Sequence, residues 1–159
     1  MKIRKIQPLD RAGLKALLNA QEHFKPEEIK IALELIDIVL THRIQEDYII
    51  RIADGPAGKI LGYICYGKAP LTDAAYDIYW IVVHPAFWNQ GLGSSLLRQA
   101  EADLRRRRAR LLLIETSFQP AYEAPRAFYR KHGYQEQARI LDYYAVGDHK
   151  LIFGKALTP

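Results

Sequence analysis

The chain has 159 residues and a mass of 18.3 kDa, enough for about one domain that buries a core of its own. A composition with 49% hydrophobic and 26% charged residues excludes a disordered tail, a collagen-like repeat and a disulfide miniprotein. The net charge is +5, from 23 Lys and Arg against 18 Asp and Glu. This charge favours anionic partners, such as nucleic acid, anionic lipid or a phosphorylated small molecule.

The first half of the chain predicts a strand, two helices and two further strands. A short strand over residues 2–7 precedes a helix for which Asp10 is the predicted N-cap. The apolar face of this helix consists of three leucines, Leu14, Leu17 and Leu18. A second helix is predicted to start near Pro26, because proline is tolerated in a first turn. Two apolar runs over residues 47–53 and 59–67 flank a Gly- and Pro-containing turn, which predicts an antiparallel hairpin.

The second half begins with a strand, a helix and a strand that predict a right-handed parallel unit. The apolar strand over residues 78–83 ends at His84, and a long helix opens at Gly91. The run over residues 111–114 is apolar throughout, which is typical of a central strand parallel to its neighbour.

The rest of the chain predicts a short helix and a final hairpin. The helix covers residues 123–132, and Gly133 ends it at a C′ position. Strands over residues 134–141 and 150–157 flank a turn at Gly147. Together the elements predict one α+β domain over residues 1–159, with about seven strands in a mixed sheet and four flanking helices.

Cysteine usage and hydropathy favour a cytoplasmic protein. Cys65 is the only cysteine, so no internal disulfide can form, and no Cys/His cluster has the spacing of a zinc site. Residues 1–6 carry charges where a signal peptide would have an apolar core. Since no segment reaches the roughly 18 apolar residues of a membrane span, we expect no membrane partner. Because no Cys/His cluster has zinc spacing, we also expect no metal.

Most of the positive excess lies in one arginine run, formed by Arg105, Arg106, Arg107, Arg108 and Arg110. Cations near a helix C-terminus are stabilised by the helix dipole, so a solvated helix end is the favoured interpretation. Nucleic-acid binding through this run is the alternative, and it predicts a steep salt dependence. We expect no nucleic-acid partner.

The clearest chemical signal lies in residues 83–94, where a strand ends and two glycines open a helix. Glycine permits close backbone approach, and the free N–H groups at a helix start form an anion site that suits a pyrophosphate. The segment is not a Walker loop, because no Gly-Lys-Ser/Thr follows. It also lacks the third glycine of the dinucleotide fingerprint, although Glu115 ends the next strand. A tight turn without a ligand is the alternative.

Two segments resemble the GNAT superfamily of N-acetyltransferases. Residues 81–85 with 90–97 are similar to the family's acetyl-CoA loop, and residues 126–134 resemble its Phe-Tyr-x-Lys-x-Gly-Phe/Tyr signature. The predicted element order fits the family over nearly the whole chain. The resemblance implies a GNAT-like fold and transfer of an acetyl group from acetyl-CoA to a primary amine of a small molecule or peptide, by direct attack. A non-catalytic coenzyme A-binding module is the alternative, and a homodimer stays open.

The resemblance also implies where acetyl-CoA binds. The pantetheine arm would pair with the strand main chain at Ile81, Val82 and Val83, and an amide near Val82 or Val83 would polarise the thioester carbonyl. The pyrophosphate would lie on the loop and the helix start, at Trp88, Asn89, Gln90, Gly91, Leu92, Gly93 and Ser94. Because Trp88 stands where the family has Arg or Gln, we expect weakened binding. Candidate contacts for the 3′-phosphate are Arg98, Arg130 and Lys131.

Three catalytic residues are implied by the same resemblance. Tyr129 would contact the coenzyme and donate a proton to its sulfur. The base that deprotonates the amine is Asp77, acting directly or through water, or Glu115 at the end of the neighbouring strand. His84 is a weaker alternative. The acceptor pocket would be walled by Tyr122, Tyr143 and Tyr144, and one of the alternating residues Tyr79 and Trp80 would face it.

Overall fold

The computed structural model describes residues 2–42 and 44–157, in which seven strands and four α-helices follow the predicted order. The strands are β1 (Lys2–Lys5), β2 (Ile49–Asp54), β3 (Ile60–Lys68), β4 (Ala75–Val83), β5 (Leu111–Ser117), β6 (Gln135–Ala145) and β7 (Asp148–Ala156). The helices are α1 (Asp10–Asn19), α2 (Pro26–Thr41), α3 (Leu92–Arg106) and α4 (Glu123–Lys131). Helix α4 ends as expected, with Gly133 in the left-handed conformation at a φ of 83°.

The strands form one sheet in the order β1-β2-β3-β4-β5-β7-β6. All neighbouring strands are antiparallel except β4 and β5, which are parallel. The predicted hairpin is confirmed as β2 and β3, and the predicted parallel pair lies near the centre of the sheet. The predicted mixed sheet and α+β class are therefore confirmed.

The sheet carries a hydrophobic layer on each face. On one face, α1 and α2 pack on β2, β3 and β4, and the predicted stripe of Leu14, Leu17 and Leu18 is buried there. On the other face, α3 and α4 bury Leu96, Leu97, Leu104 and Tyr129. Within residues 2–42 and 44–157, no helix has the length and hydropathy to cross a membrane.

Helix α1 starts differently from the prediction, because Asp10 is its first helical residue and Leu9 occupies the N-cap position. The Asp10 carboxylate turns back toward β1, where it accepts the N–H of Gln7 and two bonds from the Arg4 guanidinium, each at 2.7 Å. Burial alone would raise the pKa of Asp10, but these hydrogen bonds outweigh burial and lower it. The carboxylate thus joins β1 to α1 instead of capping the helix.

The arginine run is tied to acidic side chains of its own region. Arg106 and Arg107 both pair with Asp103, at 3.1 and 3.3 Å, and Arg105 pairs with Glu101 at 3.2 Å. The Asp103 carboxylate also accepts the Tyr66 hydroxyl at 2.7 Å. The ion pairs support the interpretation of the run as a solvated helix end, and the bond from Tyr66 to Asp103 holds this end of α3 against the sheet.

Candidate active site

The parallel strands β4 and β5 pair over only part of their length. Residues Ala75 to Ile78 of β4 are in register with Leu111 to Ile114 of β5. Beyond these positions β4 continues to Val83 and β5 to Ser117, and neither pairs with the other. The strands therefore diverge and leave a cleft bordered by unpaired main chain. Such a cleft can take an extended ligand chain that carries amide groups.

A β-bulge starts this divergence. Ile78 of β4 pairs with Tyr66 of β3, and Trp80 pairs with Cys65. Tyr79 is therefore an extra residue that has no partner of its own. A bulge bends its strand and increases the local twist, which separates β4 from β5 beyond this point.

The bulge also overturns the expectation that Tyr79 and Trp80 face opposite sides of the sheet. The Trp80 ring lies 5.6 Å from that of Phe24, and the Tyr79 ring lies 5.2 Å from that of Tyr48. Both partners belong to the α1–α2 face. The strict alternation of a strand fails where an extra residue is inserted, so both aromatic rings lie on the same side.

The main-chain groups of β4 alternate between β3 and the cleft. The N–H of His84 donates to the carbonyl of Leu61 at 2.8 Å, and hydrogen-bonded pairs recur at every second residue of an antiparallel ladder. The main chain of Val82 consequently faces β3, whereas Ile81 and Val83 face the cleft. The structure thus brings Ile81 and Val83 to the predicted arm site and turns Val82 away from it.

The loop after β4 changes direction sharply before α3. The Nδ1 atom of His84 accepts the N–H of Ala86 at 3.2 Å, so this ring holds the turn. Asn89 and Gly91 adopt left-handed conformations, with φ angles of 60° and 78°. A Cβ on Gly91 would meet no heavy atom within 4 Å, so the outer side of the loop is open.

The N–H groups of this loop form a cluster of donors. At the start of α3, the main-chain N–H of Ser95 donates a hydrogen bond to the carbonyl of Gly91 at 3.0 Å. Among the residues that the structure describes, the preceding N–H groups have no acceptor; they belong to Asn89, Gln90, Gly91, Leu92, Gly93 and Ser94. Trp88 differs, because its N–H donates to Pro85. Free donors at the positive end of a 15-residue helix suit a diphosphate.

Ser94 makes a side-chain contact that sequence reasoning missed. Its hydroxyl lies 2.8 Å from Nε2 of His132, at the end of α4. Burial lowers the pKa of His132. The negative charge of Glu101 partly opposes this shift, and the positive charge of Arg98 adds to it. The contact ties the start of α3 to the end of α4, and no motif in the sequence marks it.

Tyr129 lies on α4, in the core layer that α3 and α4 form on the sheet, with only 7% of its surface exposed. The rings of Tyr134 and Phe153 lie 6.2 Å from its ring. Its hydroxyl makes no hydrogen bond within the described part of the chain. Because burial raises the pKa of Tyr129, the hydroxyl keeps its proton at neutral pH and can donate it to a developing anion.

The two candidate bases lie close together on the diverging strands. Asp77 is opposite Leu113, two residues before Glu115 on β5. Burial raises the pKa of the Asp77 carboxyl, and the negative charge of Glu115 raises it further. Glu115 instead forms an ion pair with Nζ of Lys150, at 2.6 Å. The carboxyl of Asp77 thus holds its proton more tightly than an exposed aspartate does, while Glu115 is engaged with a cation.

The three tyrosines predicted to wall the acceptor pocket have different contacts. The rings of Tyr143 and Tyr144 meet edge to face at 4.9 Å, and Nζ of Lys150 lies 4.6 Å from the centroid of Tyr143. The Tyr122 hydroxyl donates to Glu28 at 3.4 Å. Burial raises the pKa of Tyr122, and the nearby carboxylate of Glu28 adds to this effect. The structure therefore brings Tyr143 and Tyr144 together beside Lys150, whereas Tyr122 contacts Glu28 of α2.

Trp88 replaces the expected polar residue with a different contact. Its indole Nε1 donates to the carbonyl of Val83 at 2.8 Å, and Nε2 of Gln21 donates to the same oxygen at 3.3 Å. From the sequence, Trp88 was expected to lie at the pyrophosphate, with a side chain that contributes neither a cation nor an amide there. Gln21 was missed because it lies between two helices with no motif around it, and Lys150 was missed because nothing in the sequence pairs it with Glu115.

The candidate contacts for the 3′-phosphate differ in their surroundings. Arg130 is paired with Glu123 at 3.1 Å, and Arg98 donates to the hydroxyl of Ser95 at 3.2 Å. Lys131 is exposed at the end of α4. Lys131 and Arg98 are therefore better placed than Arg130 to meet an anion without losing an ion pair.

The potential metal ligands and the single thiol of the described residues are further candidates for reactive groups. Within residues 2–42 and 44–157, no group of three or more His, Cys, Asp or Glu side chains could hold a metal ion. Cys65 is buried beneath α1 and α2, and burial raises the pKa of its thiol to about 12. This thiol is therefore unreactive at neutral pH.

Comparison with known proteins gives a consistent result. The family model of the acetyltransferase (GNAT) domain matches residues 45–136. A crystal structure of a Desulfovibrio desulfuricans protein assigned to the GNAT family of acetyltransferases is 34% identical, with a TM-score of 0.94 over 99% of each chain. No curated protein sequence matches the chain.

More distant structures share the fold. An aminoglycoside 6′-N-acetyltransferase complexed with coenzyme A is 16% identical, with a TM-score of 0.78 over 100% of this chain and 98% of that one. The ribosomal-protein-S18-alanine N-acetyltransferase of Escherichia coli is 17% identical, with a TM-score of 0.77 over 99% and 94% of the two chains. The domain match and the 34% identical relative show that the chain belongs to the GNAT family of N-acetyltransferases, as its two motifs predicted.

Proposed function

We propose that the protein transfers the acetyl group of acetyl-CoA to a primary amine of a small molecule or peptide, by direct attack in a ternary complex. The observation that carries this proposal is the cleft between β4 and β5, with unpaired main chain on its sides. We assign the buried hydroxyl of Tyr129, which keeps its proton, to the base of this cleft. An amide-containing arm can lie in this cleft, and a sulfur at its end can reach that hydroxyl.

The loop residues fit the phosphate end of acetyl-CoA. The free N–H groups from Asn89 to Ser94 supply donors to a diphosphate, and the open space outside Gly91 admits it. The main-chain groups of Ile81 and Val83 then meet the pantetheine amides and the thioester. A cleft-facing N–H of β4 would stabilise the oxyanion that develops on the thioester carbonyl.

The reaction requires one bond to form and one to break. The lone pair of the neutral amine attacks the thioester carbonyl carbon, so that an N–C bond forms and the C–S bond breaks. Asp77 accepts the proton that the amine nitrogen loses, directly or through water, and Tyr129 supplies a proton to the leaving thiolate. The products are the acetamide and coenzyme A with a free thiol, and holding both reactants in line lowers the entropic barrier.

The contacts favour Asp77 over Glu115 as the base. Burial and the neighbouring charge raise the pKa of Asp77, so its carboxylate has a higher proton affinity than an exposed one. Glu115 is held by Lys150 and is about half exposed. We assign Glu115 to charge balance at the acceptor site, where it orients an ammonium before deprotonation.

A thiol-release assay tests this proposal. Purified protein is mixed with acetyl-CoA and a panel of amines that includes diamines, amino sugars and peptides, and each product is identified by mass spectrometry. We expect free thiol and a matching acetamide for at least one acceptor class. Tight binding of coenzyme A with no turnover over the whole panel would support the non-catalytic module instead.

Two further features of the protein belong to the same proposal. The sheet includes strands from both ends of the described chain, which supports a single domain over residues 1–159.

The lone thiol of Cys65 is buried and unpaired by any other cysteine, which suits a reducing cytoplasm. We therefore place the reaction in the cytoplasm.

A further inference from the structure

The carbonyl of Val83 already has two donors, although the proposed function requires it to meet the coenzyme. The indole Nε1 of Trp88 lies 2.8 Å from this oxygen, and Nε2 of Gln21 lies 3.3 Å from it. A carbonyl oxygen has two lone pairs, so these two bonds saturate it. An amide N–H of an incoming arm can bond to Val83 only if one of the two donors leaves.

The two donors are held with different strength. Gln21 is only 5% exposed, and its amide also donates to the carbonyl of Leu17 at 3.1 Å. Trp88 is 49% exposed, and its indole N–H has no second acceptor. Displacing Gln21 would break one buried and one partly buried bond, whereas displacing Trp88 breaks one bond beside solvent. Trp88 is therefore the donor that an incoming ligand replaces.

The Trp88 ring also belongs to a row of aromatic rings at the open end of the cleft. It lies 6.5 Å from the ring of His23, which lies 6.4 Å from the ring of Tyr122. Trp88 follows β4 and Tyr122 follows β5, so the row extends from the end of one diverging strand to the end of the other.

We propose that Trp88 is a placeholder for the pantetheine arm. Its indole N–H holds the cleft-facing carbonyl of Val83 in the absence of coenzyme and gives up this oxygen to an amide N–H of the arm. The ligand class is an extended chain with secondary amides. The inference rests on the proposed function, because it requires such an arm in the cleft, and it involves only the exchange of one N–H···O bond for another.

The variant Trp88→Phe tests the exchange, since it keeps a ring in place and removes the N–H. We expect acetyl-CoA to bind about 3- to 10-fold more tightly to the variant by calorimetry, because one competing hydrogen bond is gone. The melting temperature should stay close to that of the wild type, since the ring is half exposed. Unchanged or weaker binding of acetyl-CoA would overturn the proposal.

Adenosine diphosphate is the matched ligand, because it has a diphosphate but no pantetheine arm. Its affinity, measured directly or by competition with acetyl-CoA, should be the same for the wild type and for Trp88→Phe. An equal gain for both ligands would place the effect in the phosphate loop and would contradict an exchange at Val83.

Fluorescence reports the displaced ring itself. The chain has two tryptophans, so Trp80→Phe leaves Trp88 as the only one. Coenzyme A should change the Trp88 emission with the same dissociation constant as calorimetry, and adenosine diphosphate should not. If coenzyme A binds and the emission is constant, the placeholder role is wrong while the proposed function stands. If the wild type binds no acetyl-CoA at all, the proposed function itself fails.

Discussion

The proposed coenzyme side and the proposed acceptor side of the cleft are built from different parts of the chain. The coenzyme side relies on main-chain groups of one continuous segment, from Ile81 to Ser94. The acceptor side relies on side chains from separate elements, among them Asp77, Tyr122 and Lys150. Main-chain sites depend on backbone geometry and tolerate side-chain change, which explains how Trp88 can occupy a position where the family has a polar residue. Side-chain sites have no such tolerance, so they determine which acceptor fits.

Replacing Gly91 by valine would break the coenzyme side with the largest effect. Gly91 has a φ of 78°, a conformation that a β-branched residue strongly disfavours. The loop must change its backbone to relieve this strain, and its N–H groups then no longer converge. We expect affinity for acetyl-CoA, measured by calorimetry, to fall by about 100-fold or more.

The matched control is Gly147→Val, in the turn between β6 and β7. Gly147 has a φ of 82°, and, as at Gly91, a Cβ there would meet no heavy atom within 4 Å. Both variants should lose similar stability by thermal melting, but only Gly91→Val should lose coenzyme affinity. Equal coenzyme affinities in the two variants would show that the loop N–H groups do not bind the diphosphate.

The difference between main-chain and side-chain sites also explains which features could be predicted from the sequence. The order of elements, the parallel pair β4–β5 and the donor loop follow from local patterns: an apolar run over residues 111–114 and glycines at a strand-to-helix junction. The bulge at Tyr79 has no glycine or proline to mark it, so the orientations of Tyr79 and Trp80 were predicted wrongly. The direction of the Val82 main chain depends on its register with β3, which one segment alone does not determine.

The acceptor side was the least predictable part of the site. Lys150 and Glu115 are 35 positions apart in the chain and meet only because β5 pairs with β7. Asp10 illustrates a related limit elsewhere: its position predicted a cap, but Arg4 on the preceding strand β1 offers its carboxylate a stronger partner. Side-chain pairing between different elements decides these contacts, and periodicity contains no information about it.

The variant Tyr129→Phe separates chemistry from coenzyme binding. It removes the proposed acid and leaves the buried ring, so kcat should fall by about 100-fold while the affinity for acetyl-CoA changes little. Tyr134→Phe is the control, because the Tyr134 hydroxyl donates to Glu101 at 3.1 Å, away from the cleft. That variant should melt at a lower temperature with an unchanged kcat. If Tyr129→Phe keeps full activity, another group protonates the thiolate.

The variant Asp77→Asn tests the proposed base, and it should change both kcat/KM and the melting temperature. We expect kcat/KM for the amine to fall about 10- to 100-fold, because the proposed base is lost while water and Glu115 stay nearby. The pKa of Asp77 is raised in the folded protein, so its ionisation above that pKa costs stability. The variant should therefore melt at a higher temperature than the wild type at pH 7.

The stability gain of Asp77→Asn should disappear as the pH falls below about 4, where the wild-type carboxyl is protonated in both states. Glu115→Gln is the comparison variant, and its activity loss should be smaller, because Glu115 is half exposed and paired with Lys150. A larger loss in Glu115→Gln than in Asp77→Asn would exchange the two roles.

The smallest effect is expected from Lys150→Met, which alters the charge around the base without touching it. The positive charge of Lys150 lowers the pKa of Asp77, and Lys150 also neutralises Glu115, whose charge raises that pKa. Both changes in the variant raise the pKa of Asp77. The acidic limb of the kcat/KM profile should therefore move to higher pH, with about two- to threefold less activity on that limb.

Lys155→Met is the control for this shift, because Lys155 also lies on β7 but pairs with Glu101, at 2.9 Å. It should leave the acidic limb where it is in the wild type. The effect of Lys150→Met should also shrink at high ionic strength, since salt screens partly exposed charges. An acidic limb that does not respond to Lys150 would mean that the titrating base lies outside the Asp77–Glu115 pair, and the acceptor side would then need a different base from the one that its geometry favours.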